Sequence, residues 1–196
     1  PYPVDGVAPP DPSQIILFGK ERDTLLGHQQ KLETPAGPAA HSFDFEGEIA
    51  VIIGTGGRHI TADDAMTHVM GYSIFNDGSV RDWQKHSIYA GKNFSGSGSW
   101  GPWITTADEI KNPATMSLTT HLNGQQMQNT TADQMIYSIA AQISYASHLY
   151  ELQPGDIIAT GSPDGTGGSR TPKRYLQEGD LLEIAVSGIG LLQNNI

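Results

Sequence analysis

At 196 residues the chain has the size of one domain with a sizeable core, and its net charge of −10 argues against a nucleic-acid or anionic-membrane partner. Cysteine is absent, so there is no disulfide and no thiolate metal site, which suits a reducing cytoplasm. No apolar run approaches the ~20 residues of a membrane span, and no basic-then-apolar leader opens the chain.

Residues 1–15 read as a Pro-rich arm, with Pro1, Pro3, Pro9, Pro10 and Pro12 resisting regular structure, and Pro1 in place of an initiator Met reads as the start of a fragment or of a chain whose beginning is not included. Residues 16–196 read as a single domain. Ile15 to Phe18 is a strand candidate ended by Gly19, and Pro35 and Pro38 argue against any long element in the polar stretch 20–42.

Residues 43–54, Phe-Asp-Phe-Glu-Gly-Glu-Ile-Ala-Val-Ile-Ile-Gly, are the most informative stretch. The apolar run Ile49 to Ile53 predicts a strand buried on both faces. Side chains two apart on a strand share a face, so Glu46 and Glu48 point the same way. Such a pair repels and loses water on burial, which calls for a cation from elsewhere in the chain or a bound metal ion. The plainer alternative is a solvent-facing pair on an edge strand.

Thr61-Ala-Asp-Asp64 resembles a capping box and predicts a short helix from Ala62 to Met70, ended by Gly71. Tyr72 to Phe75 reads as a strand that stops at Asn76-Asp77-Gly78. Residues 79–103, with Arg81, Gln84, Lys85, His86, Lys92 and three tryptophans, read as a long polar loop with a task. Thr115 to Leu122 alternates as a strand, and Asn123-Gly124 marks a hairpin into Gln125 to Gln128. A second capping box, Thr131-Ala-Asp-Gln134, opens the main predicted helix over 132–150, with Met135, Ile136, Ile139, Ala140, Ile143, Ala146 and Leu149 on its apolar face. Leu152-Gln-Pro-Gly-Asp and Leu176-Gln-Glu-Gly-Asp each read as a turn feeding an apolar strand of one sheet system, with the loop Gly161 to Gly168 between them. The sum is a mainly β (α+β) fold with one long and one short helix.

Asp77 read alone is an Asp-Gly turn residue. Taken with Glu46 and Glu48, it completes three carboxylates at the ends of apolar strands. Hard oxygen donors without thiolate suit Mg²⁺ or Mn²⁺, with Ca²⁺ as a substitute, and on an octahedral ion they leave room for a bidentate substrate. Three carboxylates and a divalent ion sum to −1, so an anionic substrate needs further donors, and Arg81, Gln84 and Lys92 are at hand. Lys92 read alone is a solvated surface lysine. The Gly161–Gly168 loop lacks the Gly-Lys-Ser/Thr ending of a phosphate-binding loop, and its backbone donors with the Ser162 hydroxyl suit a small carboxylate instead.

Together these motifs, with Gly71-Tyr-Ser-Ile-Phe-Asn-Asp-Gly-Ser-Val-Arg-Asp-Trp-Gln84, Gly91-Lys-Asn-Phe94, Gly101-Pro-Trp-Ile-Thr-Thr-Ala-Asp-Glu-Ile110 and Pro154-Gly-Asp-Ile-Ile-Ala-Thr-Gly-Ser-Pro163, resemble the fumarylacetoacetate hydrolase family from about Ile16 to Ile196. The resemblance implies a mixed β-roll, a homodimer, and Mg²⁺ or Mn²⁺ held by Glu46, Glu48 and Asp77. It implies Lys92 and Gln84 as catalytic residues, and Arg81, Gly161 and Ser162 around a small 2-oxo acid. The activity it implies is C–C bond hydrolysis of an acylpyruvate-like diketo acid, with oxaloacetate decarboxylation or oxo-acid isomerisation as the alternative on the same site. A metal-stapled binding domain without catalysis is the rival of another class. Two departures stand out. No histidine precedes Ile16 where many members carry a His and a Glu in a lid, so either the lid lies outside this chain or the water-activating base is absent. Asp164 adds a negative charge in the Gly-Ser-Pro-Asp-Gly-Thr-Gly loop.

Overall fold

The computed structural model describes residues 12–196, so residues 1–11 of the expected N-terminal arm lie outside the described residues. The strands are β1 Leu25–Leu26, β2 Phe43–Asp44, β3 Gly47–Ile53, β4 Val69–Asn76, β5 Ser79–Val80, β6 Gly98–Thr106, β7 Ser117–Leu122, β8 Gln125–Thr131, β9 Ile157–Ala159, β10 Leu181–Val186 and β11 Gly190–Asn195. The α-helices are α1 Ile88–Lys92 and α2 Ile139–Leu149. Three sheets result, with orders β1-β6-β4-β3-β9, β11-β10-β7-β8 and β2-β5. The fold is mainly β, as expected.

β3 lies between β4 and β9, and every residue of it is buried. One face of this sheet, with Ile49, Val51, Ile53, Tyr72 and Ile74, joins Leu118, Leu182, Ile184 and Val186 of the four-stranded sheet in a single apolar cluster. Ile139, Ile143 and Ala146 of α2 belong to the same cluster. The alternate residues Ala50, Ile52 and Phe75 bury on the opposite face beneath Leu25, Trp100, Ile157 and Ala159. Each large aliphatic side chain so buried contributes about 2 kcal/mol, which is why the run tolerates no polar residue after Glu48.

Several boundaries differ from the sequence reading. Ile15 to Phe18 forms no strand: Ile16, Leu17 and Phe18 are exposed, and the edge position beside β6 belongs to Leu25–Leu26, paired parallel. The first capping box forms, with Thr61 Oγ1 accepting from the Asp64 N–H at 3.2 Å. It opens only a turn and a 3-10 segment, Ala65–His68, because β4 already begins at Val69 to pair with β3. The main helix starts at Ile139, not 132, capped by Ser138, whose side chain accepts from the Ala141 N–H. Ahead of it β8 runs on to Thr131 and a single 3-10 turn follows, so Ile136 stays exposed. Residues 79–103 hold β5, a 3-10 turn at Arg81–Lys85, α1 and the start of β6; elements this short leave no periodicity to read.

The twin turns are structurally alike. Asp156 Oδ2 accepts from the Gln153 N–H and Asp180 Oδ2 from the Gln177 N–H, each at 2.8 Å. Their strands nevertheless enter different sheets, β9 the five-stranded one and β10 the four-stranded one. Local turn chemistry repeats while the partner strand decides the sheet.

Candidate metal centre

Antiparallel register builds the centre. Gly47 pairs with Asn76, so the first residues of β3 lie beside the last of β4 and Asp77 comes to rest against Glu46 and Glu48. The Asp77 N–H donates to the Glu46 carbonyl at 2.9 Å, and Asn76 Oδ1 accepts from the Glu46 N–H at 3.2 Å. One carboxylate oxygen from each of Glu46, Glu48 and Asp77 lies within 4.8 Å of the other two. The three residues picked out by sequence therefore converge.

Cations close around them. Lys92, at the end of α1, is buried rather than solvated, and its ammonium donates to Glu46 Oε2 at 2.5 Å and to Asp77 Oδ2 at 2.6 Å. It reaches that depth because Gly91 lets α1 lie on the preceding turn: a Cβ there would sit 2.3 Å from Gln84 Cγ and 2.7 Å from Gln84 N. Gln84 is thus brought beneath α1, half-buried, with its amide bonded to none of the three carboxylates among the described contacts. Arg81 donates from Nε to Asp44 Oδ2 at 2.7 Å and from Nη1 to Glu46 Oε1. Lys20 pairs with Asp77 Oδ1 at 2.9 Å and donates to the carbonyls of Gly78 and Lys92. Phe18, two residues earlier, lays its ring 5.5 Å from the Lys92 ammonium.

Sequence reasoning missed Lys20, Asp44 and Gln128, which are held by contacts distant in sequence and carry no local signature. Asp44 is fully buried. Oδ1 accepts from the N–H groups of Phe45 and Gly167, and Oδ2 from Gly168 and Arg81, which leaves no room for a proton although burial pushes the carboxyl up. Two of the glycine-rich loop's backbone donors are therefore spent on an internal carboxylate, and the Gly161 N–H on another, Glu48 Oε2 at 2.8 Å. Ser162 Oγ donates to the Gly47 carbonyl at 3.2 Å and accepts from Gln128 Nε2. Asp164 is exposed.

The charges explain themselves when counted together. Four carboxylates (Asp44, Glu46, Glu48, Asp77) face three cations (Lys20, Arg81, Lys92). Burial would raise Glu46, but Lys92 and Arg81 outweigh it and hold the group down at about 2. Burial, then Asp77 and Glu46, push Glu48 up to about 8, so at neutral pH it keeps the proton that balances the set. Burial opposes the Lys92 charge, yet Glu46 and Asp77 raise its pKa above the ordinary lysine value. At Lys20 burial wins over the attraction of Asp77 and the pKa falls.

A divalent cation fits this donor set. The oxygens converge without sulfur or imidazole, an ammonium already bridges two of them, and a proton on the third marks uncompensated negative charge. Exchange of that proton for a dication leaves the seven charged groups and the ion at a net +1, attractive to an organic anion. A hard divalent ion suits such a site, and Glu46, Glu48 and Asp77 are the residues that could hold it.

Fold and site together define a mainly β protein with an acidic triad suited to a hard divalent ion. Residues 4–196 match the family model described as fumarylacetoacetate (FAA) hydrolase C-terminal, and the chain belongs to that family. It is 36% identical over 187 residues to the oxaloacetate tautomerase YisK of Bacillus subtilis, covering 94% of this chain and 62% of that protein. Among solved structures, the fumarylacetoacetate hydrolase of Exiguobacterium antarcticum matches with a TM-score of 0.88 at 37% identity, over 94% of this chain and 66% of that one. A fumarylpyruvate hydrolase of Pseudomonas aeruginosa, in complex with Mn²⁺ and pyruvate, matches with a TM-score of 0.80 at 29% identity, over 91% of this chain and 76% of that one. The chain spans about three-fifths of the length of the curated relatives it matches. No helix among the described residues is long and apolar enough to cross a membrane.

Proposed function

We propose that this domain is a divalent-metal-dependent enzyme acting on a small 2-oxo acid through its enol form, with oxo–enol interconversion of oxaloacetate as the leading reaction. The observation that carries the reading is the buried Lys92 ammonium seated between Glu46 and Asp77 of the oxygen-donor triad. Glu46, Glu48 and Asp77 would hold a divalent ion, which when bound would supply Lewis acidity toward a 2-oxo carbonyl. Lys92 keeps its proton under the pull of the neighbouring carboxylates and offers it to an oxygen on which charge develops. Arg81, fixed by Asp44, carries positive charge toward the substrate carboxylate, and Gly161 and Ser162 border the same space. Gln84 is the remaining polar group for orienting substrate. A homodimer and a cytoplasmic location belong to the same proposal, the first readable by light scattering.

Stabilising an enolate is the step common to tautomerisation, decarboxylation and C–C hydrolysis. The tautomerase reading is favoured by the relative YisK, named an oxaloacetate tautomerase. Hydrolysis of an acylpyruvate, the activity expected from sequence, is the second reading, favoured by the likeness to the fumarylpyruvate hydrolase. The test loads the protein with Mn²⁺ or Mg²⁺ and follows the enol absorbance of oxaloacetate beside pyruvate release from oxaloacetate and acetylpyruvate. Faster loss of enol absorbance without pyruvate supports the leading reading, and pyruvate from acetylpyruvate supports the second. A metal-loaded protein that accelerates none of these and gains no thermal stability from any oxo acid is a metal-stapled binding domain. A true ligand at a hundredfold excess over Kd would add about 2.7 kcal/mol.

A further inference from the structure

The triad leaves one part of the motif unexplained, the glycine between Glu46 and Glu48. A Cβ at Gly47 would lie 2.3 Å from Thr120 Oγ1 and 3.1 Å from Gln128 Oε1. Thr120 and Gln128 are direct cross-strand partners on β7 and β8, so the four-stranded sheet presses two polar side chains onto the peptide that joins the two ligand candidates. Gln128 is 1% exposed. Its Oε1 accepts from the Gly47 N–H at 3.0 Å, and its Nε2 donates to Ser162 Oγ and to the Pro163 carbonyl, each at 2.8 Å. Ser162 Oγ in turn donates to the Gly47 carbonyl.

We infer that Gln128 is a positioning residue that ties the Glu46-Gly47-Glu48 strand to the Gly161–Pro163 loop, so that the metal-holding carboxylates and the wall of the substrate space are held in one register. The inference rests on the function proposed above. Of two direct ties between strand and loop, Glu48 to the Gly161 N–H uses a carboxylate that a metal ion would claim, and Ser162 Oγ to the Gly47 carbonyl relies on a hydroxyl that Gln128 Nε2 itself holds. The Gln128 bonds use no candidate ligand atom and are kept whether or not a metal is bound. Only an amide meets the demand: one acceptor faces a strand N–H while both donors face loop oxygens. A carboxylate here would turn an acceptor toward the Pro163 carbonyl, and an apolar side chain would orphan both the Gly47 N–H and that carbonyl.

The experiment compares wild type, Gln128→Met and Ser162→Ala by titration with Mn²⁺, by titration of the Mn²⁺-loaded protein with oxalate, and by amide exchange of the loop in metal-free protein. Gln128→Met is expected to weaken oxalate by about tenfold or more, the equivalent of one lost hydrogen bond near 1.4 kcal/mol, with Mn²⁺ affinity within about threefold of wild type. Exchange over residues 161–164 rises in the metal-free variant, and Ser162→Ala shows a smaller change in the same direction. Unchanged oxalate affinity and loop exchange in Gln128→Met overturn the inference, as does a lower melting temperature with no other change. Wild type that binds Mn²⁺ but neither oxalate nor any oxo acid refutes the functional reading instead, and the exchange arm still decides the role of Gln128. Should Gln128→Met not fold, Gln128→Glu keeps the volume and the bond to Gly47. It must then show the same rise in loop exchange, and wild-type exchange there refutes the tie.

Discussion

Raising the pH of the metal-free protein from 6 to 9 perturbs one group above all, the Glu48 carboxyl. Burial and the charges of Asp77 and Glu46 set its folded pKa at about 8 against an ordinary 4.5, so the folded state holds a proton that the unfolded chain has already lost. A carboxyl raised in this way costs nothing below about pH 4.5, costs progressively more as the pH rises to 8, and levels off above. Integrated from pH 6 to 9, the loss amounts to about 3 kcal/mol. Glu46, held down at about 2, contributes stability that is lost only as the pH falls below 4.5, so it is silent in this window. Urea unfolding at pH 6 and 9 measures the difference, and the isosteric Glu48→Gln should remove most of it. The same proton must leave when a metal ion binds. Mn²⁺ affinity should therefore rise about tenfold per pH unit between 6 and 8 and then flatten. Calorimetry in two buffers of different ionisation enthalpy at pH 7 should find about one proton released per ion bound. Wild type and Glu48→Gln with equal pH slopes, or metal binding without proton release, would refute the reasoning.

Asp77→Ala removes one of the three proposed metal holders, and calorimetry should detect no Mn²⁺ binding while turnover disappears with it. Lys92→Met separates the roles: Mn²⁺ still binds, but kcat on the responsive oxo acid falls about a hundredfold to a thousandfold. Asp44→Asn strips Arg81 and the Gly167 and Gly168 N–H groups of their buried counter-charge, and chemical denaturation should show a loss of about 3 kcal/mol. Gly91→Ala forces a Cβ onto Gln84, costing about 1–3 kcal/mol by the same assay and moving Lys92 enough to lower kcat even where the protein remains folded.

The elements legible in the sequence were those whose signal is local and whose burial is one-sided or complete. Ile49–Ile53 had to be a central strand because nothing in it tolerates water, and Asn123-Gly124 had to turn because both residues adopt positive φ, 52° and 76°. The helix start was misplaced by seven residues because Met135 and Ile136 continue the apolar rhythm of α2. Thr131 does use its hydroxyl, but on Asp133 within a strand end rather than on a helix N–H. Phe18 misled for a related reason, since an apolar residue that covers a buried ammonium looks in sequence like one that joins a sheet.

At the site, the carboxylates were legible and their compensation was not. Two glutamates two apart on a buried strand demand positive charge, and the sequence left open whether the chain or a metal ion provides it. The fold answers with both. Lys20 comes from 57 residues before Asp77 and Arg81 from 35 residues after Glu46, distances at which no spacing rule operates. Three cations neutralise three of the four carboxylates, and the fourth is left to a proton or a metal ion. A chain that merely needed stability could have supplied a fourth basic residue, or fewer acidic ones, since a buried ion network seldom outperforms apolar packing. Leaving the set one charge short at Glu48, with Gly47 beside it tied through Gln128 and Ser162 to the loop whose Gly161 N–H bonds Glu48, makes the site's charge exchangeable. An exchangeable charge is what binding of a divalent ion at this triad requires, and turnover of an oxo acid is what would separate an enzyme from a metal-stapled domain.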